Sequence, residues 1–248
     1  MPSFKLTRYQ MAELLISLQS DHGKTPLDVL KQAWLDLNVH KKGSDENAIL
    51  ESSLPTIFEK IIKGPNQNKG FSINEIVSLG NQIEHSSFST SAVQNWVKRD
   101  VRNLIGSPQK GKKYSLEQAA ILFIVEDLKS TLDFLSIRNL LTLIFNNIED
   151  RHDDLIDPID FYHTYSTIFE ELDLNDDHVV DVDFRMKDGT KAETLIFQKA
   201  ENKITYLERL DNKEMSIVKN ALVIATLSIQ TSYFQSVSRQ FLNTTLFI

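Results

Sequence analysis

The chain has 248 residues, enough for one large domain or about two or three small ones with a sizeable buried core. Its hydrophobic content of 41% and charged content of 25% are ordinary for a globular protein, and its formal net charge is −7. The absence of cysteine excludes disulfide bonds and thiolate metal sites, and it fits a reducing, cytoplasmic compartment. The scarcity of glycine and proline favours a mainly α fold.

Residues 1–66 predict an N-terminal helical segment. Thr25 and Pro26 form a helix start, because threonine can cap the first turn and proline at the first helical position lacks the N–H that would need a partner. Apolar residues with helical spacing follow, and a further helix is expected at 54–62. The polar sequence 66–70 predicts a linker, so we place a domain boundary there.

The sequence of residues 67–149 indicates two short helices, then a basic turn, then two further helices. In the second helix, Val93, Trp96 and Val97 have the spacing i, i+3 and i+4 and are expected to face inward. That packing turns a set of polar and basic side chains outward, namely Gln94, Asn95, Lys98, Arg99 and Arg102.

A basic turn follows this helix. Gly106 to Pro108 ends the helix, and Gly111 permits a tight turn that carries Lys110, Lys112, Lys113 and Tyr114. Between residues 91 and 114 there are six lysines and arginines against one acidic residue, which is a local surplus of +5 in an acidic chain. Such a surplus is typical of a surface that meets a polyanion, although a solvated helix face and a basic loop would also have it.

This order of elements resembles the MerR-type winged helix-turn-helix DNA-binding domain. Residues 72–76 are similar to the first helix of that family, and 89–98 to its recognition helix. Residues 111–115 resemble the end of the wing, and 116–141 the two helices that follow it. The loop 80–88 is longer than its counterpart in the family. The overall arrangement also looks like an uncharacterised group of Gram-positive bacterial proteins of unknown function that join a MerR-like domain to their own flanking helices.

The resemblance implies double-stranded DNA as a partner. Gln94 and Asn95, with Lys98 or Arg99, would approach base edges in the major groove, since amides suit adenine and basic side chains suit guanine. The remaining candidates would lie near phosphates, and these are Arg102, Lys110, Lys112, Lys113 and Tyr114.

The region 150–248 predicts an acidic helix, a small antiparallel β-meander and a long apolar helix. Strands are expected at 179–184, 191–199 and 204–210, with a hairpin turn at Asp188-Gly189. Asp211 and Glu214 fit a capping box that opens the long helix.

Thirteen Asp and Glu residues occur between 149 and 183. The acidic and histidine side chains His152, Asp153, Asp154, Asp157, Asp160 and His163 could hold a divalent cation. The alternative is that Asp157 caps a helix beginning at Pro158, which needs no ion, and we favour that interpretation with no metal or cofactor.

The long helix is uncharged from Asn220 to Ser238, but its apolar density is modest for a membrane span. Its residues 221–229 leave little polar face, so we expect them to lie in the core of the chain or in a homodimer interface.

Enzyme signatures such as a phosphate-binding glycine loop or a nucleophile elbow are absent, so no catalytic residue is expected. The sequence therefore favours a sequence-specific transcription regulator whose C-terminal part dimerises or responds to an unknown effector or protein partner. The alternative is an interaction module that keeps the winged fold but binds protein, through an acidic face with the aromatic residues Phe161, Tyr162, Tyr165 and Phe169.

Overall fold

The structure, a computed structural model, describes residues 4–19, 23–38, 54–64, 70–146, 151–181 and 191–246. These residues form helices without any β-strand, and their only extended pairing consists of isolated bridges. The α-helices are α1 Arg8–Ser17, α2 Pro26–Asn38, α3 Thr56–Lys63, α4 Ile73–Gly80, α5 Thr90–Asn95, α6 Arg102–Ile105, α7 Leu116–Leu128, α8 Phe134–Ile144, α9 Pro158–Leu172, α10 Ala192–Lys203 and α11 Asn212–Leu246. A π-helical turn, Trp96–Asp100, joins α5 to α6, and a 3-10 turn spans Arg151–Asp153.

The mainly α prediction agrees with this architecture, but the predicted C-terminal antiparallel β-meander is wrong. Residues 191–199, expected as a strand, belong almost entirely to α10. Ile196 and Ala200 are four residues apart and both fully buried, which is the spacing of residues on one face of a helix. Residues 204–210 form successive tight turns instead of a strand, and the expected turn at Asp188-Gly189 lies outside the described residues.

Helices α4, α7 and α11 begin with reciprocal capping boxes, and the box predicted at Asp211 and Glu214 is confirmed. The side chain of Ser72 accepts a hydrogen bond from the N–H of Glu75, whose carboxylate accepts in return from the N–H of Ser72. Ser115 and Gln118 form the same reciprocal pair at α7. At α11 the N–H of Asp211 donates to Glu214, and the Asp211 carboxylate accepts from the N–H of Glu214. Each box satisfies helix-terminal donors that would otherwise lack a partner.

One continuous core contains buried side chains from the N-terminal helices, the central helices and α11. Helix α7 is its centre, buried along almost its whole length, with α1, α9 and α11 packed around it. The apolar stretch 221–229 of α11 lies in this core, where Ala221, Leu222 and Ala225 are fully buried. The proposed linker at 66–70 falls almost entirely outside the described residues.

A buried ion pair joins three of these helices. The Arg8 Nε atom of α1 donates to Asp127 Oδ1 of α7 at 2.8 Å, and the Tyr165 hydroxyl of α9 donates to Asp127 Oδ2 at 2.8 Å. Arg8 also donates to the carbonyl of Glu84 at 3.1 Å, in the loop that leads to α5. Arg8 is 6% exposed and Asp127 2%, so the charges are compensated almost entirely by each other and by these hydrogen bonds.

The aromatic residues that the interaction-module alternative required on the surface lie in the core. Phe161, Tyr162 and Tyr165 are fully buried, and Phe169 is 6% exposed. The expected aromatic surface is therefore wrong. The residues recur at spacings of three and four along α9, which places them together on its inner face.

Asp157 caps α9, in agreement with the capping interpretation of the acidic stretch. Its carboxylate accepts hydrogen bonds from the N–H groups of Ile159 and Asp160. Among the described residues, no group of three or more acidic or histidine side chains has an arrangement suited to a metal ion. None of the helices in the described ranges combines the length and the apolar character that crossing a bilayer requires.

Glu170 lies beside a small cavity with Glu84 and Asp176. Burial and these neighbouring carboxylates raise the pKa of Glu170 to about 7 from its ordinary value of 4.5. A pKa raised by folding contributes stability that is fully present below the unfolded value and is lost as pH rises through the folded one. Because glutamine mimics the protonated carboxyl, we expect Glu170→Gln to stabilise the protein little at about pH 5 and most at about pH 8. Thermal unfolding at both pH values checks this, and an equal effect at the two would contradict it.

Candidate nucleic-acid interface

Helices α4 and α5 pack against each other, and we call α4 the first arm and the helical segment 90–105 the second arm. The side chain of Ser89 caps α5 by accepting from the N–H of Ala92 at 3.2 Å. Val93 is fully buried, and Trp96 lies with its ring centroid 6.1 Å from those of both Phe88 and Phe134. The expected inward face of this helix is therefore confirmed.

The second arm does not continue as a regular α-helix. The N–H of Val101 donates to the carbonyl of Trp96, five residues earlier, at 2.9 Å, and closes a π turn. Because a π turn rotates each residue less than an α turn, Trp96 and Val101, five positions apart, are both buried on the same side. The intervening Lys98 and Arg99 are left on the outside of a widened turn, a feature that frequently marks functional sites.

Two contacts from neighbouring helices hold this turn. Arg138 of α8 donates through Nη1 to the carbonyl of Asp100 at 2.7 Å, which satisfies a backbone acceptor at the end of the π turn. Lys129, at the end of α7, places its Nζ atom 5.3 Å from the centroid of the Trp96 ring. Both contacts come from residues far along the chain, so the widened turn is fixed by tertiary packing.

The candidate residues of this arm are exposed. The set comprises Gln94, Asn95, Lys98, Arg99 and Arg102. Among the residues that the structure describes, Lys98, Arg99 and Arg102 form no ion pair. Within the described part of the chain, their positive charges therefore face solvent and no carboxylate pairs with them.

The basic turn is a two-residue hairpin. Lys110 and Lys113 exchange backbone hydrogen bonds of 2.9 and 3.1 Å around Gly111, whose φ of +67° is a conformation that favours glycine. Tyr114 then pairs with Phe71, immediately before α4, through two backbone hydrogen bonds of 2.8 Å. A Cβ atom at Gly70 would lie 2.8 Å from the carbonyl of Tyr114, so only glycine permits this close approach. The hairpin 110–113 is thus attached to the start of α4, and we call 110–114 the wing.

Gln118 of α7 connects the wing to the end of the second arm. Its side-chain amide donates to the carbonyls of Ile105 and Ser107 at 2.5 and 2.8 Å, and its oxygen accepts from the N–H of Gln109 at 3.2 Å. The side chain is fully buried, so these backbone groups depend on it for their hydrogen bonds. Gln118 therefore fixes the position of the wing relative to α6.

Two wing residues contact the neighbouring helices, unlike the remaining candidates. Tyr114 is only 8% exposed, and burial raises the pKa of its hydroxyl. Lys113 is exposed but lies 3.3 Å from Glu75 Oε2. Burial alone would raise the pKa of Glu75, but hydrogen bonds from Lys60 and Ser72 together with Lys113 lower it to about 2. Tyr114 and Lys113 thus anchor the wing to the helices, whereas Lys110 and Lys112 lie on its exposed side.

The chain also resembles known sequences. Residues 59–165, from α3 into α9, match the family described as domain of unknown function (DUF1836). Over 240 residues the chain is 38% identical to "Uncharacterized protein YkrK" of Bacillus subtilis (strain 168), with 96% of each sequence covered. No solved structure matches significantly. The matched segment contains both arms and the wing, and the chain belongs to the DUF1836 family.

Proposed function

We propose that this protein is a cytoplasmic, sequence-specific DNA-binding transcription regulator of MerR-like winged helix-turn-helix type. Helix α5 and the π turn enter the major groove, with Gln94 and Asn95 facing base edges. Lys98, Arg99 and Arg102 meet bases or phosphates at the same face.

One observation carries the proposal: the exposed cations of the second arm have no acidic partner among the described residues. In a chain of net charge −7, an exposed lysine or arginine has many carboxylates that could neutralise it. Several cations elsewhere do have them, as Lys199 and Lys203 have Glu171. An uncompensated set on one helical arm is what binding to a phosphate backbone requires.

The wing supports the same assignment. Lys112 lies at its tip, exposed and without an ion pair in the described part of the chain. The hairpin is tied to α4 through Phe71 and to the second arm through Gln118. Both elements would therefore meet a duplex as one rigid unit, which reduces the ordering entropy lost on binding.

The alternative of a protein-binding module has lost its proposed surface, since the aromatic residues of α9 are buried. It remains a possible outcome of the test below.

The test is binding of a fluorescent duplex from the region upstream of the gene, measured across a salt series. If Lys98, Arg99, Arg102, Lys110 and Lys112 neutralise about five phosphates, the log–log slope should be roughly −4 to −5. A random duplex of equal length separates specific from non-specific binding. Absence of binding to both duplexes at low salt would overturn the proposal in favour of the protein-binding alternative.

A further inference from the structure

Helix α11 has two parts with opposite environments. Up to Ile229 it contributes to the core, and Gln235 still donates to the carbonyl of Ser130 at 2.8 Å. From Ser238 to Leu246 every residue is exposed. About 13 residues, or roughly 20 Å of helix, therefore extend from Phe234 along and beyond the edge of the body.

The extending part has an apolar face. Phe234, Val237, Phe241, Leu242 and Thr245 follow the spacing i, i+3, i+7, i+8 and i+11, which places them on one side of a helix. Phe241 is 69% exposed, Leu242 55% and Phe234 48%, while Leu246 at the margin is 67% exposed. The opposite side carries the polar residues Arg239, Gln240 and Asn243.

The two threonine hydroxyls on this part already have partners within the helix. Thr244 donates to the carbonyl of Gln240 at 3.0 Å, and Thr245 to that of Phe241 at 2.9 Å. Since these two hydroxyls are satisfied within the helix, covering them with another helix leaves neither of them unpaired.

The composition of this part also favours a covering partner. Serine, threonine, valine and asparagine are weak helix formers, and they supply six of the residues from Ser236 to Thr245. These residues extend a helix that the core-packed turns of α11 have already nucleated, but their weak propensity leaves the exposed end prone to fraying. A partner packed against the exposed face would stabilise the helical end.

We propose that this face, Phe234 to Leu246, pairs with the same face of a second copy of the chain. Each copy carries a net charge of −7, so two copies repel each other over most of their surfaces. From Asn220 to Leu246, however, the helix has one charged residue, Arg239, which lies on the side opposite to the apolar face. The exposed apolar side chains offer roughly 500 Å² per copy, so two copies with their flanking polar residues reach the roughly 1,200 Å² of a stable interface. Like-on-like contact of one face closes as a two-fold dimer.

The experiment is light scattering coupled to gel filtration of the full chain at tens of micromolar, without DNA. We expect the wild-type chain to have the mass of two copies and Phe241→Glu the mass of one. Because Phe241 is exposed in the single chain, the substitution leaves the core intact, and circular dichroism verifies this. Gln240→Glu adds the same charge on the opposite face and should remain dimeric.

Three outcomes would overturn the pairing: a monomeric wild type, a dimeric Phe241→Glu variant, or loss of the dimer in both variants. The measurement contains no DNA, so its result is independent of the proposed regulator function. If the protein is a dimer but binds no duplex, the pairing is supported and the regulator function is rejected. If the protein is a monomer that binds DNA with the expected salt slope, the regulator function is supported and the pairing is rejected.

Discussion

Replacing Asp127 by alanine is expected to destabilise the protein by about 3–5 kcal/mol. The substitution leaves the Arg8 guanidinium, 6% exposed, without its counterion in the core. It also removes the acceptor of the buried Tyr165 hydroxyl. The Glu84 carbonyl and the Ser86 hydroxyl, which also accept from Arg8, carry no net charge and cannot compensate for the lost carboxylate.

Chemical unfolding with urea measures this loss. The matched control is Asp36→Ala on α2, whose exposed carboxylate accepts hydrogen bonds from two surface glutamines. That control should change the free energy of unfolding by about 1 kcal/mol or less. If Asp127→Ala behaved like the control, the Arg8 network would not be the junction between α1, α7 and α9 that its geometry indicates.

The helix starts of this protein could be predicted from sequence because their determinants are local. The capping boxes at Ser72 and Ser115 each need a partner only three residues away. The inward face of α5 likewise follows from the spacing of Val93, Trp96 and Val97. Information of this kind lies within one or two helical turns, where a single sequence is most informative.

The β-meander prediction failed because the deciding contacts are distant in sequence. Lys199 and Lys203 both bind Glu171 of α9, and their spacing of four residues matches only a helix. Residues 192–203 include alanine, glutamate, leucine, glutamine and lysine, which are strong helix formers, but the adjacent apolar residues Leu195 to Phe197 are also compatible with a strand. Packing of Ile196 and Ala200 against the body resolves this ambiguity in favour of α10.

The same distinction between local and distant determinants applies to the candidate interface. Exposure of Lys98 and Arg99 could be predicted from helix periodicity. The burial of Tyr114 could not be predicted in this way. Its backbone pairs with that of Phe71, 43 positions earlier in the chain, and the pairing is an isolated bridge outside any regular strand. The π turn is equally unpredictable from the sequence, since it depends on Arg138 and the Trp96 pocket.

Substituting alanine for both Lys98 and Arg99 is expected to weaken duplex binding about tenfold or more and to reduce the magnitude of the salt slope by about 2. Both side chains are exposed on the π turn, and neither forms an ion pair within the described residues. Under the proposed function, their removal takes away phosphate or base contacts, and it leaves no buried charge. Thermal stability should be nearly unchanged, because surface substitutions away from special features alter the free energy of unfolding by about 0.5 kcal/mol or less.

The matched control removes the same net charge elsewhere. Lys191 precedes α10 and Lys213 lies in the first turn of α11, and both are exposed. Changing both to alanine alters the overall field of the protein by the same two charges but leaves the second arm and the wing intact. Fluorescence anisotropy across the salt series should return a slope close to that of the wild type for this control. If the two double variants lost affinity equally, attraction would come from net charge alone, and the π turn would not be the element that contacts DNA.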